Sequence, residues 1–403
     1  MKLAMVLQNL PPAVGCRLSP VSTLPYLPSS FICCEDSGVA VALIGAFAMS
    51  SLPVLITVLL LLGTLSPLSL AFQPSTSLSG AQLLQRSSRL VTHPKCKSNL
   101  IMGAVSSSNV IPEDTRLQFQ DKSILLTGAS RGLGRSLAHK LAECNASLLI
   151  LSGRDEVALQ EVKKECAEIA SSSSLKIEIV PCDLSDKASV NNLSTKSLSI
   201  AKQIHATKAI DILINNGGIS SRSSFLDTDI SIDEKLMQVN FFSGAQLAKA
   251  IVPSMVDQSA GRIIWISSIQ GKLGTPYRTS YAASKFAVQG YCEALRSELT
   301  SSNVHVHIVS PGYIRTNLSQ SAIMGDGKNY GQTDVTTANG KDPDEVAATI
   351  LNSVANEQMD FIVAATFSAQ VALWLKVLAP SFLEKMLVKR FEKQKIELKE
   401  KTS

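Results

Sequence analysis

The sequence predicts an α/β fold, a doubly wound parallel sheet, and three observations predict it. Short apolar, β-branched-rich runs end at turn residues, long helical patterns separate them, and the loop after the first run is rich in glycine. The runs are "KSILLTG", "SLLILSG", "LKIEIVPCD", "DILINNGG", "RIIWISS" and "VHVHIVSPG". Strands that are apolar throughout, rather than alternating, are buried on both faces, and their alternation with helices is the βαβ pattern. A sheet of this kind binds ligands beyond the carboxyl ends of its strands. The residues that follow each run therefore carry the functional reading.

The first run leads into "TGASRGLG", Thr127 to Gly134, and then into the helical "RSLAHKLAE". Gly128, Gly132 and Gly134 permit a tight turn, close approach of backbone to a pyrophosphate and close packing of helix on strand, with the helix N-terminus facing the phosphates. The second run ends "LSGRD", which puts Arg154 where an NAD-selective site carries a carboxylate for the adenine ribose. A guanidinium there suits the 2′-phosphate of NADP, and Arg131 in the glycine loop is placed to close on the same group. Asp155 follows one residue late. The expected cofactor is thus NADP(H), with NAD(H) the second choice. Further on, "SYAASK" sets Tyr281 and Lys285 four residues apart on one helical face, so that an ammonium can sit near a phenol. Taken alone, such a pair is more often a solvated one.

Composition excludes several classes. The chain has 403 residues, a formal net charge of +5 and interspersed charges, with no basic run interleaved with aromatics. No nucleic-acid partner is expected. The eight cysteines contain no C-x-x-C pair, so neither a zinc site nor a disulfide framework is indicated. His305 and His307 form an H-x-H on one strand without a nearby third ligand, and no metal is expected.

Residues 1–112 differ from the rest. No charged side chain occurs from Ser37 through Gln85, and acidic residues return only at Glu113. The apolar segment is long enough to span a bilayer, with Pro53 dividing it and Pro67 limiting its second part. Two expectations follow. One is a retained anchor that holds the protein at an endoplasmic-reticulum-type membrane. The other is a signal peptide cut before Phe72 and followed by a serine-rich, acid-free, transit-peptide-like stretch, resembling the two-part presequence of plastids lying inside the secretory system.

The motifs occur in an order that resembles the short-chain dehydrogenase/reductase family, from about Leu117 to Ala365. "TGASRGLG" is similar to its cofactor loop, "CDLSD" and "NNGG" follow, "MQVNFF" carries a helix asparagine, Ser268 precedes Tyr281 by the family's spacing, Y-x-x-x-K is intact, and "SPGYIRT" comes next. The resemblance implies a Rossmann-type single catalytic domain over 115–365, with an N-terminal hydrophobic or targeting extension. It implies cofactor contacts from Gly128, Ser130, Arg131, Gly132, Leu133 and Gly134, with Asp183 holding the adenine. Asn216 would lie beside the cofactor, and Thr316 would hold the nicotinamide carboxamide. It casts Tyr281 as the acid and Lys285 as stabiliser of the phenolate and holder of the ribose. Ser268 would bind the substrate oxygen, and Asn240 would hold a water leading protons to Lys285. Gly217 departs from the family's alanine and is expected to loosen that strand end. Pairing into a homodimer through the helices of "MQVNFF" and "YAASK" is implied by analogy.

The implied activity is NADPH-dependent carbonyl reduction, or alcohol oxidation in reverse, on a lipid-like small molecule: sterol, retinoid, long-chain ketone or acyl-glycerone phosphate. A cofactor-binding regulatory or scaffold protein on the same fold is the competing reading. The long polar connection 317–341 is expected to be a substrate lid, ending at a capping-box-like helix start in Asp342, Pro343 and Glu345. Residues 366–403 read as an amphipathic helix and basic tail. Phe367, Val371, Trp374, Leu375 and Leu378 form a stripe expected to pack in the core or an interface. With Lys385, Lys389, Arg390, Lys393 and Lys395 behind it, the same region also suits an anionic bilayer surface.

Overall fold

The computed structural model describes residues 109–172, 174–204, 206–207 and 209–402. The apolar segment, the cut before Phe72 and four of the cysteines (Cys16, Cys33, Cys34, Cys96) lie outside the described residues. The first half of the sheet is built from α1 (Glu113–Phe119), β1 (Ser123–Thr127), α2 (Gly132–Glu143), β2 (Leu148–Ser152), α3 (Glu156–Ile169), β3 (Lys176–Ile179), α4 (Lys187–Ile204) and β4 (Ile212–Asn215). There follow α5 (Ile230–Met237), a π turn (Gln238–Phe242), α6 (Ser243–Asp257), β5 (Gly261–Ile266), α7 (Thr279–Leu299) and β6 (Val304–Pro311). The chain ends with α8 (Val335–Ala338), α9 (Pro343–Ala355), β7 (Asp360–Val363), α10 (Phe367–Leu378) and α11 (Pro380–Thr402).

Among the described residues seven strands form one sheet in the order β3-β2-β1-β4-β5-β6-β7, and every pairing between them is parallel. From β1 the chain first winds outward through β2 and β3, then crosses back to β4 and winds the other way. The reversal opens a crevice at the carboxyl ends of β1 and β4, where Leu126 stands in register with Ile214.

Alternating side chains explain the unbroken apolar runs. On β1, Ile124 and Leu126 pack on one face with Leu137 and Leu141 of α2 and Ile350 and Leu351 of α9. Leu125 faces the other side with residues of α4, α6 and α7, among them Leu193, Leu247 and Val288. Both faces are covered, so neither position tolerates a polar residue. Gly244 at the start of α6 brings that helix onto β5, since a Cβ there would lie 2.6 Å from the Trp265 ring.

Four expectations change on contact with the structure. The segment at Asp360–Val363 is a seventh, edge strand beyond the six runs read from the sequence, with Phe361 and Val363 buried and Ile362 half-exposed. The stripe beyond it is not core: α10 has no buried residue. The single amphipathic helix is two, because Pro380 lacks an N–H and forces Ala379 out of helical geometry, at φ −146° and ψ 61°. Asp342 caps α9 by accepting from the Asp344 N–H at 2.9 Å, but Glu345 pairs with Lys341 at 3.3 Å instead of completing a capping box.

Candidate active site

A cavity of about 990 Å³ opens at the crevice and is lined by the glycine loop, the ends of β2, β4, β5 and β6, and the first turns of α7. Among the described residues its lining holds seven cationic side chains (Arg131, Arg154, Arg222, Lys235, Arg278, Lys285, Arg315) against two acidic ones (Asp155, Asp183). That balance suits a polyanionic ligand.

The glycine loop is shaped as a phosphate cradle. Gly128 has φ +66°, and a Cβ on it would sit 2.7 Å from the Gly217 Cα. A Cβ on Gly134 would lie 1.9 Å from the Gly128 carbonyl oxygen, so only glycine lets α2 start this close to the turn. No side chain caps α2, which leaves its first N–H groups for a ligand. Asn216 pins the loop by donating from Nδ2 to the carbonyls of Thr127 and Gly128 at 2.9 and 3.2 Å. These features fit a dinucleotide pyrophosphate.

Around the loop, the expected cofactor residues fall into separate places. Ser130 lies over Gly153, next to Arg154 at the β2 end. Arg131 turns away from that end and donates to Ser321 at 3.1 Å, toward the 317–341 segment. Asp155 is taken up as the cap of α3, accepting from the Ala158 N–H at 3.1 Å, which leaves Arg154 as the charge at the ribose position. Asp183 turns its carboxylate to Ser185, accepting from N–H and hydroxyl at 2.9 and 2.8 Å. Burial works to raise its pKa, but these bonds and the Arg154 charge hold it below the usual range. Leu133 is buried, and Thr316 packs against Gly132, its methyl 3.1 Å from where a Cβ would be. Gly217 uses no left-handed conformation; a Cβ there would meet the Leu184 side-chain tip at 2.5 Å, so the missing methyl is filled rather than loose.

Tyr281 and Lys285 both line the cavity and are 6% and 4% exposed. The Lys285 ammonium lies 5.8 Å from the Tyr281 ring centre and donates to the Ile266 carbonyl at 3.0 Å. Burial pulls it down to about 8. Burial raises the Tyr281 phenol, while the Ser268 hydroxyl beside it and the guanidinium groups of Arg278 and Arg222 act in the opposite sense without cancelling the rise. An empty site therefore holds a protonated phenol next to a cation whose charge is costly.

Asn240 sits in the π turn, a distortion often found at functional sites. Its Oδ1 accepts from the Ile219 N–H at 2.8 Å, and its Nδ2 donates to the Ile219 carbonyl and to Ser284 Oγ, each at 2.9 Å. Ser284 in turn donates to the Tyr281 carbonyl at 2.8 Å. Asn240 thus ties the β4 exit to the helix bearing Tyr281, with both amide protons used. Ser267 and Gln289 brace the same helix and were not singled out from the sequence: Ser267 Oγ donates to the Lys285 carbonyl, and Gln289 donates to Ser267 and Ser310. A polar residue buried on an apolar helix face is the signal that marks Gln289.

The 317–341 segment is more tied than an open lid. It includes α8 and bridges at Ile314 with Lys341 and at Ile323 with Ser221 and Asn329. Asp334 accepts from Arg222 at 2.6 Å and from Arg278 at 3.1 Å. Burial opposes ionisation of Asp334, yet both guanidinium groups hold its pKa low. Two arginines share one carboxylate, so one positive charge is left over. Burial and then the Arg222 charge pull Arg278 below the ordinary arginine range. His307 is fully buried with Nδ1 on the Gln358 carbonyl at 2.8 Å, an ordinary strand position.

A family model described as short chain dehydrogenase matches residues 122–325. Dehydrogenase/reductase SDR family member 7B of Xenopus tropicalis is 38% identical over 302 residues, covering 73% of this chain and 95% of its own. Dehydrogenase/reductase SDR family protein 7-like of Anopheles gambiae is 42% identical over 275 residues, covering 68% and 84%. A short-chain dehydrogenase from Sphingobium yanoikuyae in complex with NADPH superposes with a TM-score of 0.53 at 24% identity, covering 66% of this chain and 95% of that one. A short chain dehydrogenase/reductase from Burkholderia phymatum in complex with NAD gives 0.54 at 22%, covering 64% and 93%. At these identities the two structures speak for the fold.

The Lys285 shift has a consequence for stability. Below pH 8 the ammonium is charged in folded and unfolded chains, and the cost of burying it is fully present. Between about 8 and the ordinary lysine value of 10.5 the unfolded chain binds more protons, so stability rises with pH. Urea unfolding of the wild type and Lys285→Met at pH 7.5 and 9.5 tests this. The wild type should gain about 1–2 kcal/mol on the variant across that interval; a constant gap would show that Lys285 titrates normally.

Proposed function

Because the chain belongs to the short-chain dehydrogenase/reductase family, is similar to its 7B type and is thus an NAD(P)-dependent oxidoreductase, we propose that it reduces a lipid-like carbonyl with NADPH. The observation that carries this reading is a buried, protonated Tyr281 in the same cavity as the glycine cradle. Reduction needs an acid at the carbonyl oxygen, and a phenol whose proton is held by burial is in the right state.

The bound dinucleotide supplies the hydride. The chain's own residues do the rest. Gly128, Gly132, Gly134 and the α2 N-terminus receive the pyrophosphate, and Arg154, with Ser130 beside it, receives the 2′-phosphate. Relatives of the fold are found with NADPH and with NAD; Arg154, together with the engagement of Asp155 as a helix cap, favours the former. Ser268 orients the substrate oxygen beside the phenol. Tyr281 donates its proton to that oxygen, and the cations of Lys285, Arg278 and Arg222 stabilise the phenolate left behind. Asn240 holds the helix that carries Tyr281 and Lys285 in register with β4, and Lys285 also holds the nicotinamide ribose. The uncompensated charge of the Arg222–Arg278–Asp334 group lies on the substrate side and suits a carbonyl compound that also bears an anionic group.

Cofactor oxidation over matched ketones with neutral and phosphate-bearing heads tests the proposal. The wild type should turn over the phosphate-bearing member with the higher kcat/KM. Tyr281→Phe should lose at least about a thousandfold in kcat with cofactor affinity nearly unchanged. Full turnover in that variant would place the acid elsewhere, and equal loss for neutral and anionic ketones in Arg278→Met would remove the charged-head reading.

Cofactor choice has its own test. Arg154→Asp should lower the NADPH-over-NADH preference by at least about tenfold, the scale of one charge-assisted phosphate contact. An unchanged ratio would overturn the assignment of Arg154.

A further inference from the structure

The two helices that follow the sheet leave their apolar faces uncovered. On α10, Phe367, Val371, Trp374 and Leu378 recur at i, i+4, i+7 and i+11 on one stripe, and they are 77, 37, 50 and 55% exposed. Helix α11 turns a different face to the body: Leu383 is buried, and the Phe391 ring stacks on Tyr277 with centres 5.3 Å apart. Away from that face, Phe382, Met386 and Ile396 are exposed, and the exposed Lys385, Lys389 and Lys393 are threaded among them at i, i+4 and i+8. Glu384 and Glu392 fall outside that row. The helices also adjoin the cavity. Lys376 donates to the Lys272 carbonyl at 2.6 Å, and Tyr277, stacked on Phe391, directly precedes the cavity-lining Arg278. The Ser223 N–H donates to the Tyr277 carbonyl, and the loop beyond it exposes Phe225 and Leu226.

We propose that the outer faces of α10 and α11 dock on an anionic lipid bilayer surface beside the mouth of the cavity. Exposed apolar side chains of this size mark an interaction surface, and the interleaved lysines select among its occupants. A protein partner closing over the α11 row would bury the ammonium groups of Lys385 and Lys389, which need carboxylates. A second copy of the same face would bring like charges together. Anionic headgroups instead pair with the lysines while their stems lie along the acyl boundary, and Trp374 and Phe367 enter the interface. On the proposed function, a carbonyl compound dissolved in that leaflet then reaches the cavity wall at Arg278, next to Tyr277, without crossing water.

Trp374 provides a local readout in the full chain, because the second tryptophan, Trp265, is a core residue only 1% exposed. The protein is mixed with phosphatidylcholine vesicles containing phosphatidylserine and acyl chains brominated near the headgroup. Emission should shift to the blue and fall by at least about a third, as expected for an interfacial indole, and Trp374→Phe should abolish the effect. The charge-reversed variant Lys385→Glu/Lys389→Glu/Lys393→Glu should need at least about tenfold more lipid for the same quenching, with its far-ultraviolet circular dichroism unchanged. Because the reporter is Trp374, attachment through the N-terminal apolar segment does not imitate the result. Trp374 emission indifferent to vesicles, equal quenching by neutral phosphatidylcholine, an unaltered lipid requirement in the charge-reversed variant, or a concentration-dependent dimer that shields Trp374 would each overturn the proposal.

Discussion

The removal of an ammonium and a phenol from water at the carboxyl edge of a parallel sheet is the constraint on which the site depends. Lys285 is held against the Ile266 carbonyl and is drawn down to about 8 by burial. Tyr281, one turn earlier on the same helix, is raised by that burial. Neither group would be poised in this way on a solvated helix, and both are buried because α7 lies across the ends of β5 and β6. The supports of that helix are polar. Asn240 reaches it through Ser284, and Ser267 and Gln289 hold its next turn. A buried polar network of this type fixes one arrangement, since each unmade bond is expensive.

Charge divides the cleft into two ends. At the glycine loop, close packing of Gly134 on the Gly128 carbonyl and the uncapped start of α2 make a pocket for phosphates, with Arg154 at the β2 end. At the other end, Arg222 and Arg278 share Asp334, which belongs to the 317–341 segment. That carboxylate fastens the segment over the site while leaving a positive balance beside the reacting phenol. Under the proposed function, the same two guanidinium groups that would receive an anionic substrate also favour phenolate, so substrate selection and proton release would be coupled through one cluster.

The sequence made the sheet and most of the site legible because both rest on local patterns. Runs such as "KSILLTG" are apolar at every position since β1 is covered on both faces, and "TGASRGLG" needs glycine where a Cβ would strike backbone. The four-residue spacing put Tyr281 and Lys285 on one helical face, and the order of the motifs around them singled the pair out. What was not legible depends on contacts distant in the chain. Asp155 looked like a rival for the ribose until the start of α3 claimed it as a cap, and Arg131 was placed by Ser321, 190 residues away. The expected looseness at Gly217 is absent because Leu184 fills the space. β7 was hidden because its three apolar residues, Phe361 to Val363, run on through Ala364 and Ala365 into the pattern of α10. The stripe from Phe367 to Leu378 was assigned to packing because periodicity reports that a face is apolar but not what covers it.

The most direct measurement is the titration of Tyr281 itself, followed as the tyrosinate absorbance near 295 nm in the difference between wild type and Tyr281→Phe. In the empty protein the phenol is predicted to ionise above the ordinary value of about 10, and a nicotinamide cofactor in its oxidised, cationic form should bring that ionisation down. A Tyr281 that ionises at or below the ordinary value in the empty cleft, or that is indifferent to the bound cofactor, would contradict its assignment as the buried acid of the reaction.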